Sequence, residues 1–351
     1  MFDQTSLPIL ALLFLAAAAV VWIAGVYVSK TTDVLSSRFQ LGEALGGAIL
    51  LAIVTNLPEI AITASGAARG QLEIATGNIL GGIAIQTVVL VLLDVAAMGK
   101  RAPLIGHAAS LELVLEAVLV IVMLTVTVIA HQLPESLVWR GITPDGVLIC
   151  AVWIAGLYLI GKARGKLPWQ RHGDAPGGQS RQTQQQRKEK SAAQKASTHW
   201  AATVFLIAAL ATLTAGVVLQ QTSETMAKHL GMSGVVFGAT ILAAITALPE
   251  ISTGLAAVKL GDYRLAISDI FGGNAFLPVI FVAATLISGQ AVLPHATKAD
   301  MYLTALGMLL TAVYIYGLIF RPRRQIARMG LDSFVVLILY LAGVAGLFAI
   351  K

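Results

Sequence analysis

Two glutamates embedded in apolar sequence are the residues of this chain best placed to do chemistry. Glu59 ends the segment Thr-Asn-Leu-Pro-Glu, and Glu250 ends the segment Thr-Ala-Leu-Pro-Glu. Each lies about sixteen residues into its apolar stretch, which is mid-membrane at a rise of roughly 1.5 Å per residue. An ionised carboxylate at that depth costs on the order of a few kcal/mol and is normally functional and partnered. Because no Lys or Arg lies near the middle of any apolar stretch, the pair indicates a site for a divalent cation or for protons.

The proline before each glutamate predicts a break in the helix. Pro58 and Pro249 have no backbone N–H to bond the carbonyl four residues back, and the proline ring clashes there. The carbonyls loosened in this way belong to Val54, Thr55, Ile245 and Thr246. A broken helix is tolerated in lipid where it lines a cavity, and carboxylates with free carbonyls form an all-oxygen set that suits Ca2+ rather than Zn2+. The alternative is a pair of structural kinks with glutamates bonded to neighbouring hydroxyls, which the recurrence of the motif disfavours.

Both motifs belong to an internal repeat. Segments 47–84 and 238–275 align without a gap at a constant offset of 191, with 15 of 38 positions identical. The identical positions in the first copy are Gly47, Ala48, Leu51, Ala52, Thr55, Leu57, Pro58, Glu59, Ile60, Gly70, Ala75, Ile79, Gly81, Gly82 and Ala84. Apolar bias alone does not align Thr-x-Leu-Pro-Glu and Gly-Gly at one offset, so two copies of one structural unit are predicted.

Further polar side chains accompany the glutamates in each repeat. The Gly-Gly pairs at 81–82 and 272–273 are small enough to press these helices against the broken ones. The polar residues that could complete a coordination shell are Asn56, Asn78, Gln86, Asp269 and Asn274. Asp269 fits either a site ligand or a structural partner near the inner edge of the membrane, and the sequence leaves both open.

Composition places these residues in a lipid bilayer. The 351 residues are 57% apolar and 12% charged, with a mean hydropathy of +0.82, whereas soluble proteins carry about 25% charged residues. Apolar runs of spanning length lie at 7–28, 43–68, 72–98, 106–130, 143–161, 200–220, 233–258, 263–288, 300–320 and 332–350. The first run follows Asp3 without any Lys or Arg and is too long for a signal peptide, which predicts a retained span. An all-α transmembrane fold of ten helices is therefore expected.

The basic residues predict the orientation of the chain. Of its 24 Lys and Arg residues, 19 fall in one alternating set of loops and 5 fall in the other, so the first set is expected to face the cytoplasm and both termini the outside. The net charge of +6 is thereby a topology signal, and no nucleic-acid partner is expected. Segment 162–199, rich in Gln, Lys, Arg, Gly and Ser, is predicted to be a flexible cytoplasmic linker between halves 1–161 and 200–351.

The halves are predicted to be inverted. Five helices per half is an odd number, so the second copy of the repeat must cross the membrane in the opposite direction to the first. Ten helices as two inverted five-helix repeats, with repeat cores at about 45–90 and 236–282, is the architecture of many secondary transporters.

The motifs resemble the two alpha repeats of the calcium/cation antiporter superfamily, which includes the sodium/calcium exchangers. The resemblance rests on T-N-L-P-E and T-A-L-P-E, followed by G-N-I-L-G-G-I-A-I-Q and S-D-I-F-G-G-N-A-F-L. It implies a sodium/calcium exchanger-like fold in which Glu59 and Glu250 coordinate Ca2+ and the backbone carbonyls of Thr55 and Thr246 assist.

Departures from the family pattern concern the sodium sites. The family serine after the threonine is replaced by Asn56 and Ala247, and the serine of G-S-N is replaced by Gly82 and Gly273. The polar residue four positions further on is Gln86 in the first repeat and Leu277 in the second. The resemblance therefore implies an intact divalent site and depleted sodium sites.

The expected function is exchange of Ca2+ for Na+ or H+ across the plasma (cell inner) membrane by alternating access. An antiporter of the same fold for Mn2+, K+ or Mg2+ is the main alternative, followed by a cation channel and an intramembrane hydrolase with two carboxylates. No enzymatic activity, cofactor or obligatory protein partner is expected. Its partners are the lipid bilayer and inorganic cations.

Overall fold

The computed structural model describes residues 5–38, 48–98, 103–108, 110–139, 141–165, 197–322 and 324–350, and helices dominate them. The helices of the first half are α1 (Leu7–Arg38), α2 (Ala48–Thr55), α3 (Leu57–Ala68), α4 (Glu73–Met98), α5 (Leu104–Ala108), α6 (Leu111–His131) and α7 (Pro144–Gly165). Most of predicted linker 162–199 lies outside the described residues.

The second half begins with α8 (Thr198–Leu230) and repeats the order of the first. It continues with α9 (Gly234–Phe237), a π-helical turn (Gly238–Leu242), α10 (Ala243–Thr246), α11 (Leu248–Lys259), α12 (Tyr263–Phe276), a 3-10 turn (Leu277–Val279) and α13 (Ile280–Ser288). After a 3-10 turn (Leu293–His295) come α14 (Lys298–Phe320), the hairpin strands β1 (Gln325–Ile326) and β2 (Met329–Gly330), and α15 (Leu331–Leu347).

Eight helical segments in the described part of the chain are long and apolar enough to cross a membrane. The prediction of a helical membrane protein is thereby confirmed, whereas its count of ten spans goes beyond these eight. The other two predicted spans coincide with the α2–α3 pair, which is interrupted at Asn56, and with α15, which has only 17 residues.

Helices α1 and α8 are longer than their apolar runs. The runs were expected to end at 28 and 220, but the helices continue to Arg38 and Leu230. Threonine hydroxyls in these extensions bond backward to the helix itself, as Thr32 Oγ1 does to Val28 O and Thr222 Oγ1 to Val218 O, both at 2.8 Å. Each hydroxyl is thereby satisfied within its own helix, although such a bond does not itself stabilise the helix.

Glycines bring α4 close to the helix that starts at Gly234. A Cβ added at Gly77 would collide with the backbone of Val235, and one added at Gly81 would collide with Ala239. Small residues allow this approach where two helices are packed in lipid. Helix α4 therefore lies directly against the broken helix of the opposite half, and Ile79, Leu80 and Ile83 on it are completely buried.

A buried carboxylate joins the far end of α4 to the C-terminal elements. Asp94 Oδ1 accepts a hydrogen bond from Leu104 N at 2.8 Å. Its Oδ2 accepts bonds from Gly330 N at 2.7 Å and from Ser333 Oγ at 2.8 Å. These three bonds connect α4, α5, β2 and α15 at one end of the bundle.

Candidate functional site

Both glutamates occupy the first turn of a helix that restarts after a break. α2 ends at Thr55 and α3 begins at Leu57, with Pro58 in its first turn and Glu59 beside it. In the second half, α10 ends at Thr246 and α11 begins at Leu248, followed by Pro249 and Glu250. Proline favours this position because its missing N–H is unsatisfied there in any helix. The predicted breaks are therefore present at equivalent places in both repeats.

The two carboxylates are fully buried and lack donors. Glu59 and Glu250 each have 0% of their surface exposed. None of their four carboxylate oxygens accepts a hydrogen bond within the part of the chain that the structure describes. The ion pairs recorded there involve other residues. Buried charge of this kind requires a proton or a cation to offset it.

Each glutamate faces the threonine of the opposite repeat. The Thr246 side chain interacts with the Glu59 carboxylate, and the Thr55 side chain interacts with that of Glu250. Neither contact has the geometry of a hydrogen bond. Thr55 Oγ1 donates instead to Ala52 O at 3.3 Å, and Thr246 Oγ1 lies 3.3 Å from both Asn78 Oδ1 and Ala243 O. The structure thus brings the four predicted metal ligands together across the interface between the halves.

Asp269 lies close to this group. It is 1% exposed, and its carboxylate lies near that of Glu250. Its Oδ2 accepts a 2.7 Å hydrogen bond from Thr253 Oγ1, on the same helix as Glu250. No cluster of three or more His, Cys, Asp or Glu suited to a metal occurs among the described residues.

Two buried asparagines flank the glutamates. Asn78 occupies the position in the first repeat that Asp269 occupies in the second, and its Oδ1 accepts the bond from Thr246. Asn274 donates from Nδ2 to Ile83 O at 3.3 Å and to Thr87 Oγ1 at 3.1 Å. Its Oδ1 accepts no hydrogen bond from the described residues and is available to a cation.

The two repeats differ in the side chains that surround the glycines found where the family pattern has serine. In the first repeat, Asn56 Nδ2 donates to Ala52 O at 2.5 Å, and Gln86 Nε2 donates to Asn56 Oδ1 at 3.3 Å. This amide pair lies against Gly273, where an added Cβ would be 2.9 Å from Asn56 Nδ2 and 3.4 Å from Gln86 Oε1. The pair therefore fills the space that a serine side chain would need.

The symmetry-related position is apolar. Ala247 replaces the asparagine, Leu277 replaces the glutamine, and an added Cβ at Gly82 would lie 3.8 Å from Leu277 Cδ1. Only the amide side retains a free polar atom, because Gln86 Oε1 is buried and accepts no hydrogen bond from the described residues.

Sequence reasoning missed three hydroxyls at this site. Thr253 bonds Asp269 and Thr87 bonds Asn274, while the Thr63 hydroxyl is buried with no partner in the described part of the chain. Thr63 and Thr253 stand four and three residues after Glu59 and Glu250, on the same helix face. That spacing was the available signal.

Comparisons with known proteins agree with this arrangement. The family model described as "Sodium/calcium exchanger protein" matches residues 9–162 and 199–349. CaxA of Alkalimonas amylolytica, named as an antiporter, is 26% identical over 284 residues, which cover 80% of this chain and 82% of CaxA. The inner membrane protein YrbG of Escherichia coli (strain K12) is 24% identical over 308 residues, or 87% of this chain and 88% of YrbG.

Solved structures share the fold. The H+/Ca2+ exchanger CAX superposes with a TM-score of 0.67 at 13% identity, covering 97% of this chain and 82% of that one. The sodium-calcium exchanger NCX_Mj, soaked with Na+ and Sr2+, superposes with a TM-score of 0.59 at 17% identity, covering 97% of this chain and 99% of that one. At these identities the likeness concerns the arrangement of helices.

Proposed function

We propose that this chain, which belongs to the sodium/calcium exchanger protein family, moves Ca2+ across a membrane in exchange for Na+ or H+. The family match confirms the resemblance found in the sequence, and the family transports cations. The observation that carries the proposal is the pair Glu59 and Glu250, which come from equivalent helix breaks in two repeats, are fully buried and have orphaned oxygens.

The oxygen set favours Ca2+ as the cargo. Two carboxylates supply two negative charges, and Gln86 Oε1 and Asn274 Oδ1 add neutral oxygens without donors among the described residues. The backbone carbonyls of Thr55 and Thr246, at the ends of the broken helices, complete the proposed set. Ca2+ accepts six to eight oxygen ligands in flexible geometry, unlike the near-octahedral geometry that Mg2+ demands.

The proposed topology is ten spans in two inverted halves. The eight long apolar helical segments, the α2–α3 pair and α15 supply these spans, with both termini outside and segment 162–199 in the cytoplasm. Coverage of most of an inner membrane protein of Escherichia coli supports the cell inner membrane as the location. The inverted halves would expose the glutamate pair to one side of the membrane at a time.

The counter-ion binds where Ca2+ binds or on the amide side of the site. Ala247 and Leu277 offer no oxygen side chain for Na+, so one of the two flanking positions is closed to it. That leaves a single Na+ beside Gln86, or protons on Glu59 and Glu250, as the coupling charge. An empty site would leave two uncompensated charges in low dielectric, which opposes uncoupled return.

Flux measurements in proteoliposomes test the proposal. Purified protein is reconstituted, and uptake of 45Ca is measured with an outward Na+ gradient, an outward H+ gradient, both gradients, or neither. We expect uptake that requires a counter-gradient and is lost in Glu59→Gln and Glu250→Gln. Uptake without any counter-ion, accompanied by unitary currents, would indicate a channel instead. Uptake of Mn2+ or K+ but not Ca2+ would show that the protein exchanges a different cation by the same mechanism.

A further inference from the structure

The internal repeat extends into the first long helix of each half. At the same offset of 191, residues 11–31 of α1 and 202–222 of α8 are identical at 9 of 21 positions. The identical residues in α1 are Ala11, Phe14, Leu15, Ala17, Ala18, Ala24, Gly25, Val26 and Thr31. The only glycine in this set is Gly25, and its equivalent is Gly216 (25 + 191). A glycine inside a helix lowers its stability relative to alanine, so its recurrence calls for a packing reason.

Both glycines rest on the prolines of the site. A Cβ added at Gly25 would lie 3.0 Å from Cβ and from Cγ of Pro249. One added at Gly216 would lie 2.6 Å from Ala61 Cβ and 3.0 Å from Pro58 O. Each long helix therefore crosses the broken helix of the opposite half, at the residue directly before its buried glutamate. We call these two contacts the glycine seats.

The glycine seats lie where the two long helices meet the helices that carry the glutamates. Helices α1 and α8 are the longest in the described chain, with 32 and 33 residues, and they pack against each other. They contact the site helices α11 and α3 through the seats. A displacement of the long pair relative to the glutamates would therefore change the contacts at these two crossings.

We propose that Gly25 and Gly216 are positioning residues for ion exchange. When the site changes the side of the membrane to which it opens, the closer of the two glycine seats becomes the looser one, and the looser one becomes the closer. The inference rests on the proposed function. Because the halves are related by the repeat, a second access state is expected to have the α1 seat in the geometry of the α8 seat, and the reverse. A substituent at one glycine must then disfavour one state, and the same substituent at the other glycine must disfavour the other state.

The seats already differ in the present structure, which sets the direction of the effect. A 2.6 Å approach requires neighbouring atoms to shift, whereas 3.0 Å is only tight. Beyond the tighter seat, Ser65 is half-buried and its Oγ lies 3.3 Å from Gln220 Oε1 on α8. Its repeat equivalent, Ala256 (65 + 191), is exposed. In this state α8 therefore covers α3 more closely than α1 covers α11.

Cysteine labelling tests the direction. Cys150 is the only cysteine, so a Cys150→Ala background carrying Ser65→Cys reports how closely α8 covers α3. In detergent, the rate of maleimide labelling is expected to rise in Gly216→Ala and to fall in Gly25→Ala, by about threefold or more in each case. The double variant should return towards the parent rate. Gly161→Ala in α7 is the matched control, because nothing lies within 4 Å of its added Cβ.

Side-specific Ca2+ affinity provides the functional readout. The apparent Ca2+ affinity is measured on each face of sealed vesicles, and the ratio of the two affinities is compared with that of the parent. This ratio should rise in one of the variants Gly25→Ala and Gly216→Ala and fall in the other. If the glycines serve only tight packing, both variants should instead change in the same direction, with labelling and transport either slower in both or faster in both. Equal or same-direction shifts in well-folded, monodisperse variants would overturn the inference.

The experiments distinguish an error in the proposed function from an error in the inference about the glycine seats. Labelling does not require transport, so a parent protein that exchanges no Ca2+ but shows opposite labelling shifts would refute the function and support the seats. Normal Ca2+ exchange with unchanged labelling would refute the seats alone.

Discussion

Replacement of Glu59 by glutamine distinguishes between two roles of this residue, as a ligand of the cation and as a purely structural side chain. The change keeps the size of the side chain and removes one of the two negative charges at the site. Without a cation, both Glu59 oxygens are buried without a donor among the described residues, and an ionised carboxylate there costs on the order of a few kcal/mol. We therefore expect the cation-free variant to be at least as stable as the cation-free parent.

The same replacement should remove most of the Ca2+ affinity. Deleting one partner of a buried ion pair costs about 3–5 kcal/mol, because the other charge stays buried. At about 1.4 kcal/mol for each tenfold change, affinity is expected to fall on the order of a hundredfold or more. A structural kink would give the opposite pattern, with lower stability and no specific effect of Ca2+.

Thermal unfolding in detergent, with Ca2+ or with a chelator, measures both effects. Ligand stabilises the folded state by RT ln(1 + [L]/Kd), so the parent should gain stability with Ca2+ and the Glu59→Gln variant should gain little. Glu135→Gln is the matched control, since the Glu135 side chain is 63% exposed in a loop and weakly paired with His295. Ca2+ stabilisation of Glu59→Gln equal to that of the parent would refute the assignment of this residue to the site.

Three further substitutions test other parts of the structure. Gln86→Leu copies its repeat equivalent, Leu277, and should abolish any Na+ dependence of Ca2+ flux while H+-driven flux persists; Na+ dependence that survives would place the Na+ elsewhere. Asp94→Asn should lower the free energy of unfolding by about 2–3 kcal/mol, measured by denaturation in detergent, because the carboxylate accepts three hydrogen bonds and one amide oxygen cannot replace them. Gly81→Leu should prevent recovery of monodisperse protein in size-exclusion chromatography, because its side chain would enter the backbone at Ala239, whereas normal elution would show that α4 can move away.

Helix lengths show where hydropathy and structure diverge. Apolar runs predicted the position of every long helix, but not that α1 and α8 continue about ten residues further at one end. A hydropathy window records the transfer of side chains into lipid, so it does not mark the residue at which a helix ends. Threonines in both extensions bond the backbone of their own helix, which composition alone did not reveal.

The site was predictable where it depended on short segments. Proline before glutamate, repeated at an offset of 191, was enough to locate both helix breaks and both buried charges. The partners of the polar residues were not predictable. Nothing in the local sequence indicates that Gln86 bonds Asn56 or that Thr253 bonds Asp269, because those bonds join different helices.

The sequence by itself determined the membrane environment, the two related halves and the position of both glutamates after a helix break, because hydropathy, repetition and proline chemistry act within a few residues. Only the tertiary structure decided which half supplies each neighbour. Glu59 meets Thr246, Glu250 meets Thr55, and Gly216 rests on Pro58. These pairs are separated by well over a hundred residues, so they arise from the way the two halves pack against each other.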